Sequence, residues 1–492
     1  MKRNLLILIC LILTTGSAFA GGYEISISVR GVRDSMCQLA YYFGDKQYIK
    51  DSAKADANGS FVFKGSETLP GGIYLAVVPG KRYFEFILDK EQKFSLKTDT
   101  TDFISFMKVE GSKDNEMFYD YLKWITERGK EMERLQKEFE SAKENKKKAD
   151  EIRSKQTTID NAVKDYKLKF IEQHPDLFLS KVFMATSEPD IPEAPIVDGK
   201  KDSTFPYRYY KAHFFDKVDL KDDRLLRTPV LAGKIKQYIE KLTLQVTDSI
   251  CRSADYVIGL SNPESEIFKY LVYYVTNTYE KSQIMGMDAI FVYMAKNYYL
   301  SGKAYWVDST QLEKICDRVK ALEPCLIGRV ANPMTGLVDN KIRYISLNNI
   351  NSKYTIVYFW DPSCGHCQKV TPKLKEFYDQ NRSKLNLEIL GVYIEADTVE
   401  WFKYIREKNL NWINAADLTG QANFRKYYDI YSTPVIYLLN KDKRIIAKRL
   451  EVDQLEDFIK NYEAGKIPPI KELPNWTHAG CKGSDPKKEK DH

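Results

Sequence analysis

The stretch "YTIVYFWDPSCGHCQKV", residues 354–370, decides the fold of the region around it. Its apolar run "YTIVYF" predicts a short buried strand over 354–359. Two cysteines follow, Cys364 and Cys367, with a glycine and a histidine between them. Beyond them the apolar residues recur at helical spacing, at Val370, Leu374, Phe377 and Tyr378. The two cysteines therefore lie where a buried strand passes into a helix.

The segments downstream continue this alternation of strands and helices. We expect a strand "LEILGVYI" at 387–394, a helix from about Thr398 to Lys408, a strand "VIYLL" after Thr433-Pro434, a strand "RIIAKR", and a last helix with Leu455, Phe458, Ile459 and Tyr462. This order indicates an open α/β sheet, with the last two strands as a hairpin.

A cysteine pair of this kind can bind a metal, form a structural crosslink or exchange electrons. A structural zinc site needs about four ligands, but no second cysteine pair accompanies this one and the five histidines are scattered. A disulfide that closes so short a loop crosslinks almost nothing. Redox exchange is therefore the prediction for this pair.

The chemistry of exchange follows from the helix start. Unpaired N–H groups and the positive end of the helix dipole favour an anion there, so the pKa of the Cys364 thiol should be lowered. His366 adds a positive or hydrogen-bonding neighbour. Cys367 lies about one turn inside the helix, where it is less exposed and can resolve a mixed disulfide that Cys364 forms with a client protein.

The order strand, Trp360, Cys364-Gly365-His366-Cys367, helix and Thr433-Pro434 resembles the thioredoxin superfamily. The lead-in "IGRVANPMTG…ISLNNINSKYTIVYFW" looks like the branch of exported thioredoxin-like oxidoreductases that includes cytochrome c maturation proteins. The resemblance runs from about Cys325 to Asn461. It implies that Pro434 is cis and places Thr433 beside the sulfurs, where its backbone pairs with an extended client. It also implies client contacts for Trp360 and Thr433, and catalytic roles for Cys364, Cys367, His366 and Pro434.

One departure from the family concerns the buried acid that moves a proton to or from the second cysteine. Thioredoxin carries it six residues before the first cysteine, where this chain has Tyr358. The cytochrome-maturation branch carries a glutamate three residues after the second cysteine, where this chain has Val370. Glu395 at the end of the second strand is a candidate substitute, and so is water. The alternative is that Glu395 is an ordinary exposed residue at a strand end.

The first twenty residues predict export. Lys2 and Arg3 precede an apolar run from Leu5 to Leu13, and Ala18-Phe19-Ala20 has the small-x-small pattern of a cleavage site. This is the pattern of a signal peptide, cleaved after about Ala20. We expect the chain to be periplasmic in a bacterium with two membranes. A net charge of +7 without a concentrated basic patch argues against nucleic acid as a partner.

The chain has eight cysteines, and without Cys10 of the signal peptide an odd number remains. An odd number leaves at least one thiol without a partner inside the mature chain. Cys37, Cys251 and Cys316 lie in segments with an apolar pattern and are expected to be packed thiols. A bridge between Cys316 and Cys325 is the alternative for that pair.

The predicted fold is multidomain: an N-terminal antiparallel β-sandwich, a central all-α domain and a C-terminal α/β thioredoxin-like fold. The predicted boundaries are 1–20 for the signal peptide, 21–112 for the sandwich, 113–322 for the helical domain, 323–470 for the thioredoxin-like domain and 471–492 for a polar tail.

Three local patterns support this division. From Tyr23 to about Asp99 the hydrophobic period is two, and Asn58-Gly59 predicts a two-residue hairpin. From about Asn115 the period is helical, and the charged stretch "SAKENKKKADE" joins two amphipathic segments that predict a long helical hairpin. Asn262-Pro263-Glu264 predicts the capped start of a further helix.

The sequence as a whole predicts an exported enzyme that exchanges disulfides with client proteins and needs no cofactor or metal. The direction, as reductase, oxidase or isomerase, stays open, and so does the oligomeric state. The expected partners are clients with thiols or disulfides and a membrane or periplasmic protein that recycles the cysteine pair. The alternative is a redox-sensing scaffold or receptor whose cysteine pair gates partner binding. We expect a fragment of residues 323–470 to fold alone and to reduce a small disulfide at nearly the full rate.

Overall fold

The computed structural model describes residues 21–395 and 397–467. The predicted signal peptide and polar tail, with Cys10 and Cys481, lie outside these residues. The chain divides into two compact units after Leu242. The strands give way to helices near residue 112, whereas the two compact units meet after Leu242. These positions do not coincide, so the predicted domain boundaries stay predictions.

The first unit begins with strands β1 Tyr23–Arg30, β2 Met36–Phe43, β3 Lys46–Lys54, β4 Ser60–Gly65, β5 Gly72–Val78, β6 Arg82–Leu88, β7 Lys93–Asp99 and β8 Lys108–Glu110. They form two four-stranded sheets with the orders β4-β1-β7-β8 and β3-β2-β5-β6. Alternate residues of β1 are buried, as a strand with one face in a core requires. Phe86 of β6 and Phe94 of β7 meet edge to face across the two sheets, with ring centroids 5.8 Å apart.

Two details of this sandwich differ from the prediction. Most pairings are antiparallel, but β1 and β7 run parallel. The expected hairpin at Asn58-Gly59 was wrong, because β3 pairs with β2 while β4 pairs with β1, in the other sheet. The segment is a turn between sheets, in which Asp56 Oδ1 accepts the Asn58 N–H at 2.8 Å. Gly59 has a φ of +80° and lies against the Val29 carbonyl, which leaves no room for a side chain.

The rest of the first unit is mainly helical: α1 Lys113–Ala142, α2 Lys146–Gln173, α3 Phe178–Thr186, β9 Ile196–Val197, β10 Lys200–Lys201, α4 Phe205–Ala212, a 3-10 turn Asp223–Arg227, α5 Pro229–Lys236 and a π-helical turn Gln237–Lys241. The predicted helical hairpin is formed by α1 and α2. Leu135 and Ala142 of α1 pack on Ile152 of α2.

The second unit begins with helices α6 Thr247–Gly259, α7 Glu266–Glu280, α8 Asp288–Met294 with a π-helical turn Ala295–Tyr299, α9 Ser309–Leu322 and a 3-10 turn Glu323–Cys325. The predicted cap of α7 was wrong: its N-cap is Ser265, whose side chain accepts the Phe268 N–H. Asn262 lies in the preceding turn, where its carbonyl accepts the Ser265 N–H at 2.9 Å.

An α/β region completes the second unit: β11 Leu337–Asp339, β12 Tyr344–Ile345, a 3-10 turn Leu347–Asn349, β13 Tyr354–Trp360, α10 Gly365–Leu385, β14 Leu387–Tyr393, α11 Thr398–Glu407, β15 Ile413–Ala416, a 3-10 turn Phe424–Lys426, β16 Val435–Leu439, β17 Ile445–Lys448 and α12 Val452–Glu463. Seven strands form one sheet in the order β12-β11-β15-β14-β13-β16-β17. β13, β14 and β15 are parallel, and β16 and β17 form the predicted hairpin.

Every residue of β13 is buried, because the sheet is covered on both faces. On one face Ile356 and Tyr358 pack with residues of α10, α11 and α12. On the other, Val357 and Phe359 pack with the segment that includes Cys325. β13 therefore places the residues that follow Trp360 at one edge of the sheet. Among the described residues, no helix combines the length and the apolar character that crossing a bilayer requires.

Candidate active site

The two cysteines lie where β13 passes into α10. Asp361 stabilises the turn between β13 and α10. Its side chain accepts the Ser363 N–H at 2.9 Å, and its carbonyl accepts the Cys364 N–H at 3.2 Å. Cys364 is the N-cap of α10, with extended backbone angles. Cys364 is partly exposed, whereas Cys367 is fully buried. The predicted positions of both at the helix start are confirmed.

The Thr433-Pro434 peptide bond is cis, as the resemblance implied. Pro434 directly precedes β16, which pairs with β13, so this loop lies beside the end of β13. The Cys364 thiol donates a hydrogen bond of 3.3 Å to the Thr433 carbonyl. Three predicted site residues, Cys364, Thr433 and Pro434, are therefore brought together although 69 positions separate Cys364 from Thr433.

The surroundings separate the pKa values of the two thiols. Burial acts to raise the pKa of Cys364, but hydrogen bonds from the Thr433 side chain and from the backbone N–H groups of Cys367 and His366 outweigh it, and the pKa lies below its usual value. Burial raises the pKa of Cys367 to about 11. Cys364 is therefore the thiol that ionises first and can attack, and Cys367 is held as a protonated thiol beneath it.

His366 contributes through its main chain. Its backbone N–H is one of the groups that lower the pKa of Cys364, whereas its imidazole is exposed and lines a groove beside the site. The sequence pointed to the side chain as the favourable neighbour. The structure assigns this role to the peptide group.

Trp360 lies below the site. Its side chain is fully buried, stacked on Tyr358 with ring centroids 6.2 Å apart and packed on Tyr404 at 5.4 Å. A client cannot reach it in this conformation, so the client contact expected of Trp360 is not what the structure shows. The reason is that Trp360 still belongs to β13, which is buried on both faces.

Neither Tyr358 nor Glu395 provides a carboxylate that exchanges a proton with Cys367. Tyr358 shares a buried hydrogen bond of 2.8 Å with Thr371, and burial raises its pKa well above the usual value, so it stays a neutral phenol. Glu395 is more than half exposed and lies 3.5 Å from Arg425 in an ion pair. Glu395 is thus an exposed residue after a strand end, as the alternative reading held.

The other cysteines of residues 21–395 and 397–467 take no part in this site. Cys37, Cys251 and Cys325 are buried free thiols. Cys316 is disulfide-bonded, so the expectation of a packed thiol was wrong. The alternative bridge to Cys325 is also wrong, because the Cys325 thiol is free and donates to the Leu322 carbonyl at 3.4 Å, back toward its own helix.

A groove of about 570 Å³ adjoins the cysteines, and sequence reasoning missed most of it. His366 and Lys369 of α10 line it together with the Thr433-Pro434 loop. Arg318 of α9 lines it too and lies 2.7 Å from Asp429, a carboxylate with 2 % of its side chain exposed. Arg318 and Asp429 are 111 positions apart, so no local pattern could have linked them.

No group of three or more histidine, cysteine and acidic side chains placed to bind a metal occurs in residues 21–395 and 397–467. What the two thiols can do by themselves is form a disulfide with each other, or with a sulfur that reaches Cys364 along the groove.

A family model described as "Thioredoxin-like" matches residues 351–445. Two models described as domains of unknown function match 23–118 and 115–323. No curated protein matches the chain.

Several solved structures are similar to the α/β region. A domain of a possible thiol-disulfide isomerase from Cytophaga hutchinsonii is 41% identical, with 29% of this chain and 95% of that one covered and a TM-score of 0.27. The thioredoxin domain of a thiol-disulfide oxidoreductase from Bacteroides vulgatus is 31% identical, with 28% and 96% covered and a TM-score of 0.26. A thiol:disulfide interchange protein from Bacteroides sp. is 30% identical, with 29% and 93% covered and a TM-score of 0.27.

The predicted fold class is confirmed: a β-sandwich, a central helical region and a C-terminal α/β region of the thioredoxin-like type. The strand–helix order, the cysteines at the start of α10 and the cis proline before β16 agree with the family match and with the sequence identities. The chain belongs to the thioredoxin superfamily, and its α/β region is similar to thiol-disulfide oxidoreductases of that superfamily.

Proposed function

We propose that this chain is an exported thiol-disulfide oxidoreductase that exchanges disulfides with client proteins through Cys364 and Cys367. The observation that carries the proposal is the state of Cys364: a partly exposed thiol at the start of α10, 3.3 Å from the Thr433 carbonyl, with its pKa lowered. An inert packed cysteine has the opposite character, since burial without compensation raises a thiol pKa.

The exchange proceeds in two balanced steps. The Cys364 thiolate attacks one sulfur of a client disulfide, the client S–S bond breaks, and the departing client thiolate takes up a proton. Cys367 then loses its proton and attacks Cys364 Sγ, which releases the second client thiol and leaves a Cys364–Cys367 disulfide. Two electrons pass from the pair to the client, and a dithiol donor must return them before the next cycle. In the opposite direction the same steps oxidise a client dithiol.

The compartment and the recycling partner belong to the same proposal. The N-terminal pattern of Lys2, Arg3 and the apolar run that follows supports export to the periplasm. Disulfides persist in such compartments. The pair then needs a membrane or periplasmic protein that returns it to its working redox state.

Turnover tests this function. The full-length chain is mixed with an excess of a disulfide-linked reporter protein and a dithiol reductant, and cleaved disulfides are counted per chain. An oxidoreductase cleaves many disulfides per chain, and Cys364→Ser abolishes the reaction. A redox-sensing scaffold reacts at most once per chain, and this outcome would refute the enzyme.

A further inference from the structure

Among the charged side chains that line the groove beside Cys364, the accessible ones are more often positive than negative. Lys369 is exposed and makes no ion pair within the described ranges. Arg449 keeps 56% of its side chain exposed while it contacts Asp429. The start of α10 adds the positive end of a helix dipole on the same side.

Both carboxylates of the groove have contacts of their own, although exposed Glu451 keeps its negative charge. Asp429 is buried between Arg318 and Arg449, with N–O distances of 2.7 and 2.6 Å. Glu451 caps α12, where its side chain accepts the backbone N–H of Gln454. In the described part of the chain, neither Asp429 nor Glu451 forms an ion pair with Lys369. The positive charge of Lys369 is therefore available to a partner.

The distance along α10 fixes where a partner's charge must lie. Lys369 follows Cys364 by five positions, and a helix rises 1.5 Å per residue, so the two are separated by about 7.5 Å along the axis. An extended chain advances about 3.3 Å per residue. A client whose sulfur meets Cys364 therefore reaches Lys369 with a side chain about two or three residues from its own cysteine.

We propose that this groove binds a segment of a client protein that carries Asp or Glu about two or three residues from its reactive cysteine. The proposal rests on the proposed function, and it names the client chemistry that the site prefers. Exposed Tyr431, which lies under the Arg318 guanidinium at 5.0 Å, adds an aromatic surface for the rest of the segment. Charge complementarity of this kind acts mainly on the rate of encounter and on the choice of partner.

The test uses three disulfide-linked peptides that differ only in the two residues at these positions, as Glu-Glu, Gln-Gln or Lys-Lys. Their reduction by the full-length chain is followed with a dithiol reductant in excess. We expect kcat/KM to fall in that order, by about three-fold at each step, because exposed ion pairs are individually weak. The differences should shrink when the ionic strength is raised to about 0.5 M, where charges are screened beyond about 4–5 Å.

Two variants with the same change of charge assign the effect to the groove. Lys369→Glu should reverse the order of the Glu-Glu and Lys-Lys peptides. Lys441→Glu should keep it, since Lys441 lies in the turn after β16, about 17 Å along that strand from Pro434.

Each result bears on the proposal in a distinct way. Equal kcat/KM values for the three peptides, or an order that Lys369→Glu leaves unchanged, would overturn the charge preference while the exchange activity stands. If none of the peptides is reduced, the proposed function fails together with the inference.

Discussion

Cys364 lies partly exposed beside the Thr433 side chain and the backbone N–H groups of Cys367 and His366, while the Cys367 thiol is enclosed by apolar side chains. The first environment stabilises a thiolate and the second stabilises a thiol, because charge is costly to bury without hydrogen bonds. The order of ionisation, and with it the order of attack, follows from burial and hydrogen bonding at these two residues.

This difference predicts which thiol reacts and at what pH. The pKa of Cys364 is lowered, so half of this thiol is already ionised at a pH below about 8.5, the pKa of an ordinary thiol. The pKa of Cys367 is raised to about 11, so it stays protonated at neutral pH. Brief iodoacetamide labelling of the reduced chain, read by peptide mass spectrometry across pH, should modify Cys364 but not Cys367, and the labelling of Cys364 should saturate below the pH of a free thiol. Equal labelling of Cys367 would contradict this account.

The peptide group of His366 predicts a second result. Proline at this position in the first turn of α10 is compatible with a helix but has no N–H to donate. His366→Pro should therefore raise the pKa of Cys364 and, because the thiolate form is less stabilised, lower the reduction potential of the pair. His366→Ala keeps the N–H and is the matched control, with a smaller shift of both quantities. If alanine shifts them as much as proline does, the imidazole is the source.

At the scale of elements, patterns with many repeats were predictable and short ones were not. The buried run of β13, the helical spacing of α10 and the strand–helix order that follows all agree with the structure. β15 was missed because its four residues, "INAA", carry no alternation and are recognised only by their pairing with β14. The cap of α7 was misplaced because Asn262 and Ser265 are both good capping residues and only the backbone geometry chooses between them.

Arg318 of α9 lines the groove, and its position there could not be predicted from the sequence. Arg318 holds the buried Asp429, five residues before the cis proline, from one side while Arg449 holds it from the other. The loop that carries Thr433 therefore depends on a helix that lies outside the α/β region.

Arg318→Gln tests this dependence. The loss of a hydrogen-bonded charge on a buried carboxylate should reduce the free energy of unfolding by about 1.5–3 kcal/mol. The Thr433 side chain, whose hydrogen bond lowers the pKa of Cys364, should shift as well, so the pKa of Cys364 should rise. Denaturant unfolding and the pH dependence of alkylation measure the two effects. Lys320→Gln is the control on the same helix, since Lys320 pairs at the surface with Asp317 at 3.0 Å and such pairs contribute little. Equal effects of both variants would contradict the role of Arg318.

At the scale of the whole molecule, the helices α6 to α9 form one compact unit with the α/β region. Lys448 of β17, with 7% of its side chain exposed, forms an ion pair with Asp288 of α8 and donates to the Cys325 carbonyl at 3.0 Å. Leu326 is fully buried among residues of α8 and α9. The expectation that residues 323–470 suffice has to be revised, because this fragment loses Asp288, Arg318 and the residues of α8 and α9 that surround Leu326.

Two fragments test the revised expectation. Residues 243–470 should unfold cooperatively and reduce a small disulfide at the rate of the full-length chain. Residues 323–470 should be less stable by about 3–5 kcal/mol, as when one partner of a buried ion pair is removed, and should react more slowly. Urea titrations and reduction rates of both fragments give the comparison. Equal stability and equal rates would show that the α/β region is independent of the helices before it.

The exchange of disulfides through Cys364 is tested most directly by trapping the intermediate. In Cys367→Ser the second step is blocked, so a mixed disulfide between Cys364 and a client sulfur should accumulate and be identified by mass spectrometry without reductant. Cys364→Ser should trap nothing through Cys367, because that thiol is buried and its pKa is raised to about 11. A chain in which Cys367→Ser forms no mixed disulfide, or in which only Cys364→Ser forms one, would contradict the assignment of Cys364 as the attacking thiol.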